Sequence, residues 1–387
     1  MRAESRKPCV VQVINSTYGA RGQIGFRAQF VKNALDAQGI ANAILARDKR
    51  AQASDVHRVL PLGQLIPRAL NAYRMLIDAR FDNRAWDTRL FDRFAVPALR
   101  RLLQDGESMH RVVHLWESSP MLAELALRSG ARLVVDVPIA PSHEVIRLMQ
   151  LGLAEDISVP RVNEREDKTL AMADLVVSPS RYVSDVLVRM GVQPERIRMV
   201  PFGCALRPSR FPKAKPDGGL TYLFMGTLSR RKGLRFLLEA WTRANLRSDR
   251  LVLCGRVTRA ARELLAMFQA PNIEITGHVD VEPYLDAADV FVLPTLMEGS
   301  SKAVYEAMGA GLAIITTPNS GTVAVDEQEA LIVPAGDSDS LMRAILRLKD
   351  DADLRARLGV AARAKAGEYT WERYGQSVVA TYRSLMD

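Results

Sequence analysis

A chain of 387 residues, 48% hydrophobic and 25% charged, has the composition of a soluble globular protein and is long enough for two domains with sizeable cores. Its three cysteines, Cys9, Cys204 and Cys254, lie far apart with no CxxC pair or flanking histidines, which argues against a disulfide framework or a zinc site. The opening residues hold no long apolar segment and no later run approaches the ~20 apolar residues of a spanning helix, so a cytoplasmic protein is expected. The net charge of +9 favours anionic partners without choosing one.

In chain order, CVVQVI (residues 9–14) reads as a buried strand, followed by a loop with Gly19, Gly22 and Gly25 and then the helix FRAQFVKNALDAQG. This GxxGxxG arrangement is not the dinucleotide fingerprint GxGxxG, but Asp48 falls about where a ribose-binding acid would stand, so an NAD(P)-dependent enzyme stays an alternative. Residues 68–101 hold eight arginines against four aspartates, net +4, together with Leu76, Phe81, Trp86, Leu90, Phe91 and Phe94. Such a segment could rest on an anionic membrane surface; ordinary surface helices are the simpler reading, because Pro97 interrupts the pattern. Further strands are expected at 110–116, 132–137, 174–179 and 196–202, with helices between them, so the first half predicts a parallel doubly wound sheet.

The stretch CALRPSRFPKAKPDGG (204–219) is proline-rich and poor in apolar residues, as a linker between domains would be. Beyond it the pattern restarts with LTYLFM, RLVLCG, NIEITG, DVFVLP, LAIITT and ALIVPA, and the chain closes on the amphipathic stretch EYTWERYGQSVVATYRSLMD. Domains are therefore expected at 1–204 and 205–368, with a final helix at 369–387.

Three constellations could carry chemistry. In GTLSRRKG (226–233), Arg230, Arg231 and Lys232 stand at a strand-to-helix turn, where cations neutralise a diphosphate. In VVDVPIAPSHE, His143 follows a buried strand in the loop where such sheets place functional groups. In DVFVLPTLMEGSSKAVYEAMGAGLAIITT, a strand leads through a loop carrying Glu298 and Gly299 into a helix carrying Glu306. Ser300 or Ser301 is placed to cap that helix, whose N-terminus offers a phosphate site. MVPFGC ends at Gly203 on the domain boundary, which reads either as close backbone approach to a ligand or as a plain turn.

FMGTLSRRKG, FLLEAW, RLVLCG, NIEITGHV, DAADVFVLPTLMEG and YEAMGAGLAIITTPNSG occur in one order that resembles the nucleotide-binding half of the retaining glycosyltransferases of family 4 (glycosyl transferases group 1). Seven residues separate Glu298 from Glu306, as in that family's glutamate pair. The first half agrees more loosely through its glycine loop, PSHE, ADLVVSPS and MVPFG, and TWERYG resembles the family's returning C-terminal helix.

The resemblance implies an α/β fold of two facing Rossmann-like domains (GT-B type), with a cleft between them and a C-terminal crossover helix. It implies an enzyme that moves a sugar from a nucleotide-sugar to a hydroxyl of a saccharide or lipid-linked acceptor, in polysaccharide or glycolipid assembly at the inner face of a membrane. His143, Lys232 and Glu298 would be catalytic, with Arg231 assisting. Glu306 would hold the ribose, while Ser300, Ser301, Lys302, Gly203 and Gly226 would complete the donor site. Gly22 and Gly25 would face acceptor and phosphate. No metal and no cofactor are expected, since the cations take the metal's place. Thr227 stands where many members carry arginine, and Gly299-Ser300-Ser301 departs from the usual loop. The alternative on the same fold is a nucleotide-sugar epimerase. A nucleic-acid partner is not expected, because no base-reading motif is present.

Overall fold

The computed structural model describes residues 9–20, 24–50, 54–60, 65–77, 83–104, 111–153, 164–206 and 219–386. Two parallel sheets organise them. In the first, β1 (Val10–Tyr18), β2 (Asn42–Lys49), β3 (Val56–Arg58), β4 (Val112–Leu115), β5 (Arg132–Asp136), β6 (Leu175–Ser178) and β7 (Ile197–Met199) stand in the order β3-β2-β1-β4-β5-β6-β7. The second contains β8 (Thr221–Met225), β9 (Arg250–Cys254), β10 (Ile273–Gly277), β11 (Val290–Leu293), β12 (Ala313–Thr316) and β13 (Leu331–Ile332), ordered β10-β9-β8-β11-β12-β13.

Helices α1 (Ile24–Ala37), α2 (Leu65–Leu76), α3 (Asn83–Leu103), α4 (Pro120–Arg128), α5 (Ser142–Gln150), α6 (Glu164–Met172) and α7 (Arg181–Arg189) accompany the first sheet. Helices α8 (Leu234–Ala244), α9 (Arg259–Met267), α10 (Glu282–Ala287), α11 (Lys302–Ala310), α12 (Ser338–Asp350) and α13 (Ala352–Ala366) accompany the second, and α14 (Trp371–Met386) ends the chain. This is the doubly wound pair that the sequence predicts.

Strand alternation sends side chains to opposite faces. In the first sheet Val11, Val13, Val113 and Leu115 pack with Phe91, Leu99, Leu122 and Val183, while Val10, Ile14 and Val112 pack with Val31, Leu35, Val378 and Tyr382. The second face therefore belongs jointly to α1 and α14, so the C-terminal helix completes the N-terminal domain. Strand β3 was not expected, because three residues, Val-His-Arg, carry no apolar run. Pro97 does not break its helix: α3 runs through it. Pro97 lies on the exposed face, where water can serve the carbonyl that loses its N–H partner.

The two chain crossings lie side by side. Cys204 N–H donates to Tyr369 O (2.8 Å) and Cys204 bridges Thr370. A Cβ on Gly203 would fall 2.4 Å from Trp371 N, and one on Gly375 would fall 2.4 Å from Phe30 O, so glycine is required where α14 meets the body. Most of the expected linker, residues 207–218, lies outside the described residues.

Beneath α14, Arg27 pairs with Asp136 (3.0 Å), donates to the Tyr374 hydroxyl (3.2 Å) and lies between the Trp116 and Phe202 rings. His114 Nδ1 shares a 2.6 Å hydrogen bond with the Tyr382 hydroxyl. Burial, reinforced by the Arg27 charge, pushes the His114 imidazole down to about 3. Between its ordinary range near 6.5 and about 3, the unfolded chain therefore binds a proton that the folded chain refuses. Stability is whole above that window and falls as the pH drops through it, by up to ~1.4 kcal/mol per pH unit. Melting temperature followed from pH 7 to pH 4 should decline less steeply in His114→Gln than in the wild type; parallel curves would refute this.

Candidate functional site

The order of the second sheet reverses between β8 and β11, and the loops leaving their carboxyl ends border the crevice where such sheets bind ligands. From β8, residues 226–233 form a turn of 3-10 helix over Arg230–Lys232, ended by Gly233 at φ 73°. A Cβ there would fall 1.8 Å from Pro294 O, so the basic turn lies directly on the loop after β11. Leu296 N–H (2.9 Å) and the Thr295 hydroxyl (3.1 Å) donate to Arg231 O. The loop after β12 holds the other side, with Glu298 N–H donating to Asn319 O (3.0 Å) and Ser301 N–H to Ser320 O (2.9 Å).

Between these supports three charges meet. Lys232 Nζ and Arg231 Nη1 each lie 2.6 Å from Glu298 Oε1, and Arg231 also donates to Met297 O (2.6 Å). The Lys232 and Glu298 side chains are only 11% and 14% exposed, so water screens this pair weakly. Burial pushes the Lys232 ammonium below its ordinary range, against the restoring charge of Glu298. Gly226, at φ 138°, leaves its Cβ position open 3.8 Å from Lys232 Nζ. Two cations against one carboxylate leave a net positive charge, as a diphosphate requires.

Helix α11 starts at the same place. Ser300 and Ser301 are buried; the Ser301 hydroxyl has no hydrogen-bond partner among the described residues, while the Ser300 hydroxyl faces that of Tyr305. Ser301 stands at the N-cap position but makes no side-chain cap bond, contrary to the expected capping role. Its N–H donates to Ser320 O, which takes that group out of the helix start that could face a ligand. Glu306 lies one turn into α11, paired with Lys302 Nζ at 3.0 Å and partly exposed. Burial and the Glu306 charge push the Cys204 thiol up to about 11, which places that carboxylate near the domain crossing.

His143 enters from the first domain as the second residue of α5, with Nε2 3.6 Å from Asp167. Glu166 accepts from the preceding residue, from Ser142 N–H (3.4 Å) and its hydroxyl (3.3 Å). The two halves meet here: a Cβ on Gly299 would lie 1.8 Å from Pro138 O, in the segment leading to α5.

Not every expected residue joins the group. Gly203 is required by its contact with Trp371, because backbone fills the space its side chain would take. Gly25 is likewise closed off, its Cβ position 2.0 Å from Thr17 O, and Gly22 lies outside the described residues. Asp48 pairs with Arg58 at 3.4 Å. Asn319 and Ser320 were missed, since they act through backbone carbonyls that no residue type advertises.

The family described as Glycosyl transferases group 1 matches residues 219–351, and the Glycosyl transferase 4-like domain matches residues 24–203. The chain belongs to the group 1 glycosyltransferases. Among its relatives, the chain is 27% identical to the amylovoran biosynthesis glycosyltransferase AmsK of Erwinia amylovora, over 54% of this chain and 57% of that protein. It thus spans little more than half the length of that relative. Sucrose-phosphate synthase from Thermosynechococcus elongatus superposes with a TM-score of 0.65 at 19% identity, over 98% of this chain and 99% of that one. Anabaena HepE in complex with UDP-glucose gives 0.63 at 13% identity, over 97% and 100%. At such identities the likeness speaks for the fold, two facing Rossmann-like domains of GT-B type.

The charge cluster makes a thermodynamic prediction. Glu298→Gln leaves a mostly buried ammonium without its counter-charge, at a cost of about 1–3 kcal/mol in a partly exposed site. Adding Lys232→Met should recover part of that loss. A double-mutant cycle read by urea denaturation should show coupling above ~0.5 kcal/mol, and additive effects would refute the pairing.

Proposed function

We propose that this glycosyltransferase moves a sugar from a nucleotide-sugar to an acceptor hydroxyl with retention of anomeric configuration. The observation that carries the reading is the convergence of Lys232, Arg231 and the start of α11 on Glu298, beside the switch point of the second sheet. A diphosphate entering there meets two cations and the positive end of a helix. Glu306, one turn along, is a suitable acceptor for two ribose hydroxyls, and the buried Ser301 hydroxyl has no partner among the described residues. The complex of Anabaena HepE with UDP-glucose favours this class of donor.

In the step proposed, the bond between the anomeric carbon and the diphosphate oxygen breaks, and the acceptor oxygen bonds to that carbon from the same face. The acceptor's proton passes to the departing diphosphate, whose charge Lys232 and Arg231 stabilise as it develops. His143, at the start of α5 just beyond the Pro138 segment that meets Gly299, would touch the sugar. No metal is needed in this scheme, so turnover should survive EDTA; complete loss would overturn that part. Lys232→Ala should lower kcat by about two to three orders of magnitude, as loss of one oriented stabilising group does elsewhere. Near-normal turnover would remove Lys232 from its role. The donor class can be found by thermal shift with UDP, GDP and ADP, since a nucleotide at 100 times its Kd adds about 2.7 kcal/mol.

We further propose that the acceptor is presented at a membrane. Exposed Tyr73, Met75 and Leu76 end α2 and exposed Ile77 follows it, while Trp86 and Phe94 stand out on α3, where Arg89, Arg93, Arg100 and Arg101 are also exposed. Two of the segment's acids turn away, Asp87 to Arg47 and Asp92 to Arg165, both at 2.6 Å, so this face is more basic than its sequence. Exposed apolar side chains and exposed arginines on two helices packed together suit an anionic bilayer. The protein should float with vesicles containing phosphatidylglycerol but not with pure phosphatidylcholine, and Leu76→Asp with Trp86→Ala should weaken this at least tenfold. Equal flotation on both lipids would count against it.

A further inference from the structure

The two halves of the candidate site come from different domains, so something must set His143 against Glu298. We infer that the first turn of α7, through Ser180 and Tyr182, is the positioning element that registers them; the inference rests on the glycosyltransferase reading. Ser180 is buried; its hydroxyl accepts from Val183 N–H (3.3 Å) as the cap of α7 and donates to Gly299 O (2.6 Å) in the other domain. Gly321 must be bare to permit this, because its Cβ would fall 2.8 Å from Ser180 Oγ. The Tyr182 hydroxyl donates to Glu144 Oε1 (3.0 Å) and lies 3.4 Å from Leu296 O.

The sequence positions of these partners give the contacts their meaning. Glu298 stands within the stretch from Leu296 to Gly299 that α7 touches at both ends. His143 is the residue before Glu144, whose buried carboxylate also accepts from Arg147 (2.6 and 2.8 Å) and Arg189 (3.0 Å). Leu296 and Met297 complete the docking by burying their side chains in the apolar cluster of the first domain. One rigid helical turn therefore grips the segment bearing Glu298 and, through Glu144, the helix bearing His143. Neither Ser180 nor Tyr182 need touch substrate; they act through the groups they hold.

The test uses the full-length chain with Tyr182→Phe, Ser180→Ala and the double variant. Asp351→Ala serves as a control, because Asp351 caps α13 by accepting from Leu354 N–H (2.8 Å) in the second domain. Displacing reacting groups by a fraction of an ångström to an ångström should lower kcat by about ten- to a hundredfold in each α7 variant. The Kd for the bare nucleoside diphosphate, whose site lies in the second domain, should stay within about twofold of the wild type, a split that lost folding would not give. Asp351→Ala should match the melting loss of Ser180→Ala while keeping kcat. Unchanged kcat in the double variant, or nucleotide affinity falling in step with kcat, would overturn the inference. If the wild type transfers sugar from no donor, the glycosyltransferase reading fails by itself. Small-angle scattering then decides the positioning role: a larger radius of gyration in the double variant supports it, and an unchanged one overturns it.

Discussion

The candidate site depends on how closely three stretches of backbone stack around the loop that follows β11. Cβ atoms on Gly233, Gly299 and Gly321 would fall 1.8 Å from Pro294 O, 1.8 Å from Pro138 O and 1.9 Å from Gly299 O. Each would be an overlap with main chain, which cannot swing aside as a side chain can. Bare glycines therefore bring the basic turn against one side of the Glu298 loop, the loop after β12 against another and the first domain against a third. Hydrogen bonds to Arg231 O, Asn319 O and Ser320 O then fix the loop in register. Only within this stack can a short carboxylate reach both Lys232 and Arg231.

Charge at that position is better explained by a ligand than by stability. Removing an ammonium and a carboxylate from water costs several kcal/mol per ion, and well-packed apolar side chains often do as well. The cluster is also unbalanced, two cations to one acid, in a place where the Ser301 hydroxyl has no partner among the described residues and a helix starts. The Arg27–Asp136 pair in the first domain differs. There one cation meets one acid, Tyr374 accepts a further hydrogen bond and aromatic rings cover both faces, leaving no approach for a solute. Through its bond to the Tyr374 hydroxyl, that pair also ties α14 to the body.

The sequence was most legible where strands are fully buried. DVFVL and LAIITT are continuous apolar runs because parallel strands are covered on both faces, and they became β11 and β12. Strand β3 was illegible for the opposite reason: Val56 is buried but His57 and Arg58 are exposed at the sheet edge. Lys232, Arg231 and Glu298 could be picked out by residue type and motif, and the fold brings them within 2.6 Å. Gly203 and Gly25 misled because a glycine required by neighbouring backbone has the same signature as one required by a ligand. Ser180 and Tyr182 gave no sign of this role, since the carbonyls they reach in the other domain, those of Gly299 and Leu296, lie 119 and 114 residues away.

The contact between domains and the candidate site share the segment from Leu296 to Gly299. Leu296, Met297 and Gly299 seat Glu298's loop in the first domain, while the paired crossings at Cys204 and Thr370 join the domains elsewhere. A shift of one domain on the other therefore cannot leave the site unchanged, because the carbonyls of Leu296 and Gly299 move with the second sheet while Tyr182 and Ser180 move with the first. Domain arrangement and the placement of Glu298 relative to His143 are one variable. In such a design, binding energy gained anywhere along the donor can be used to align groups at the reacting carbon, which is how interactions remote from the chemistry raise kcat.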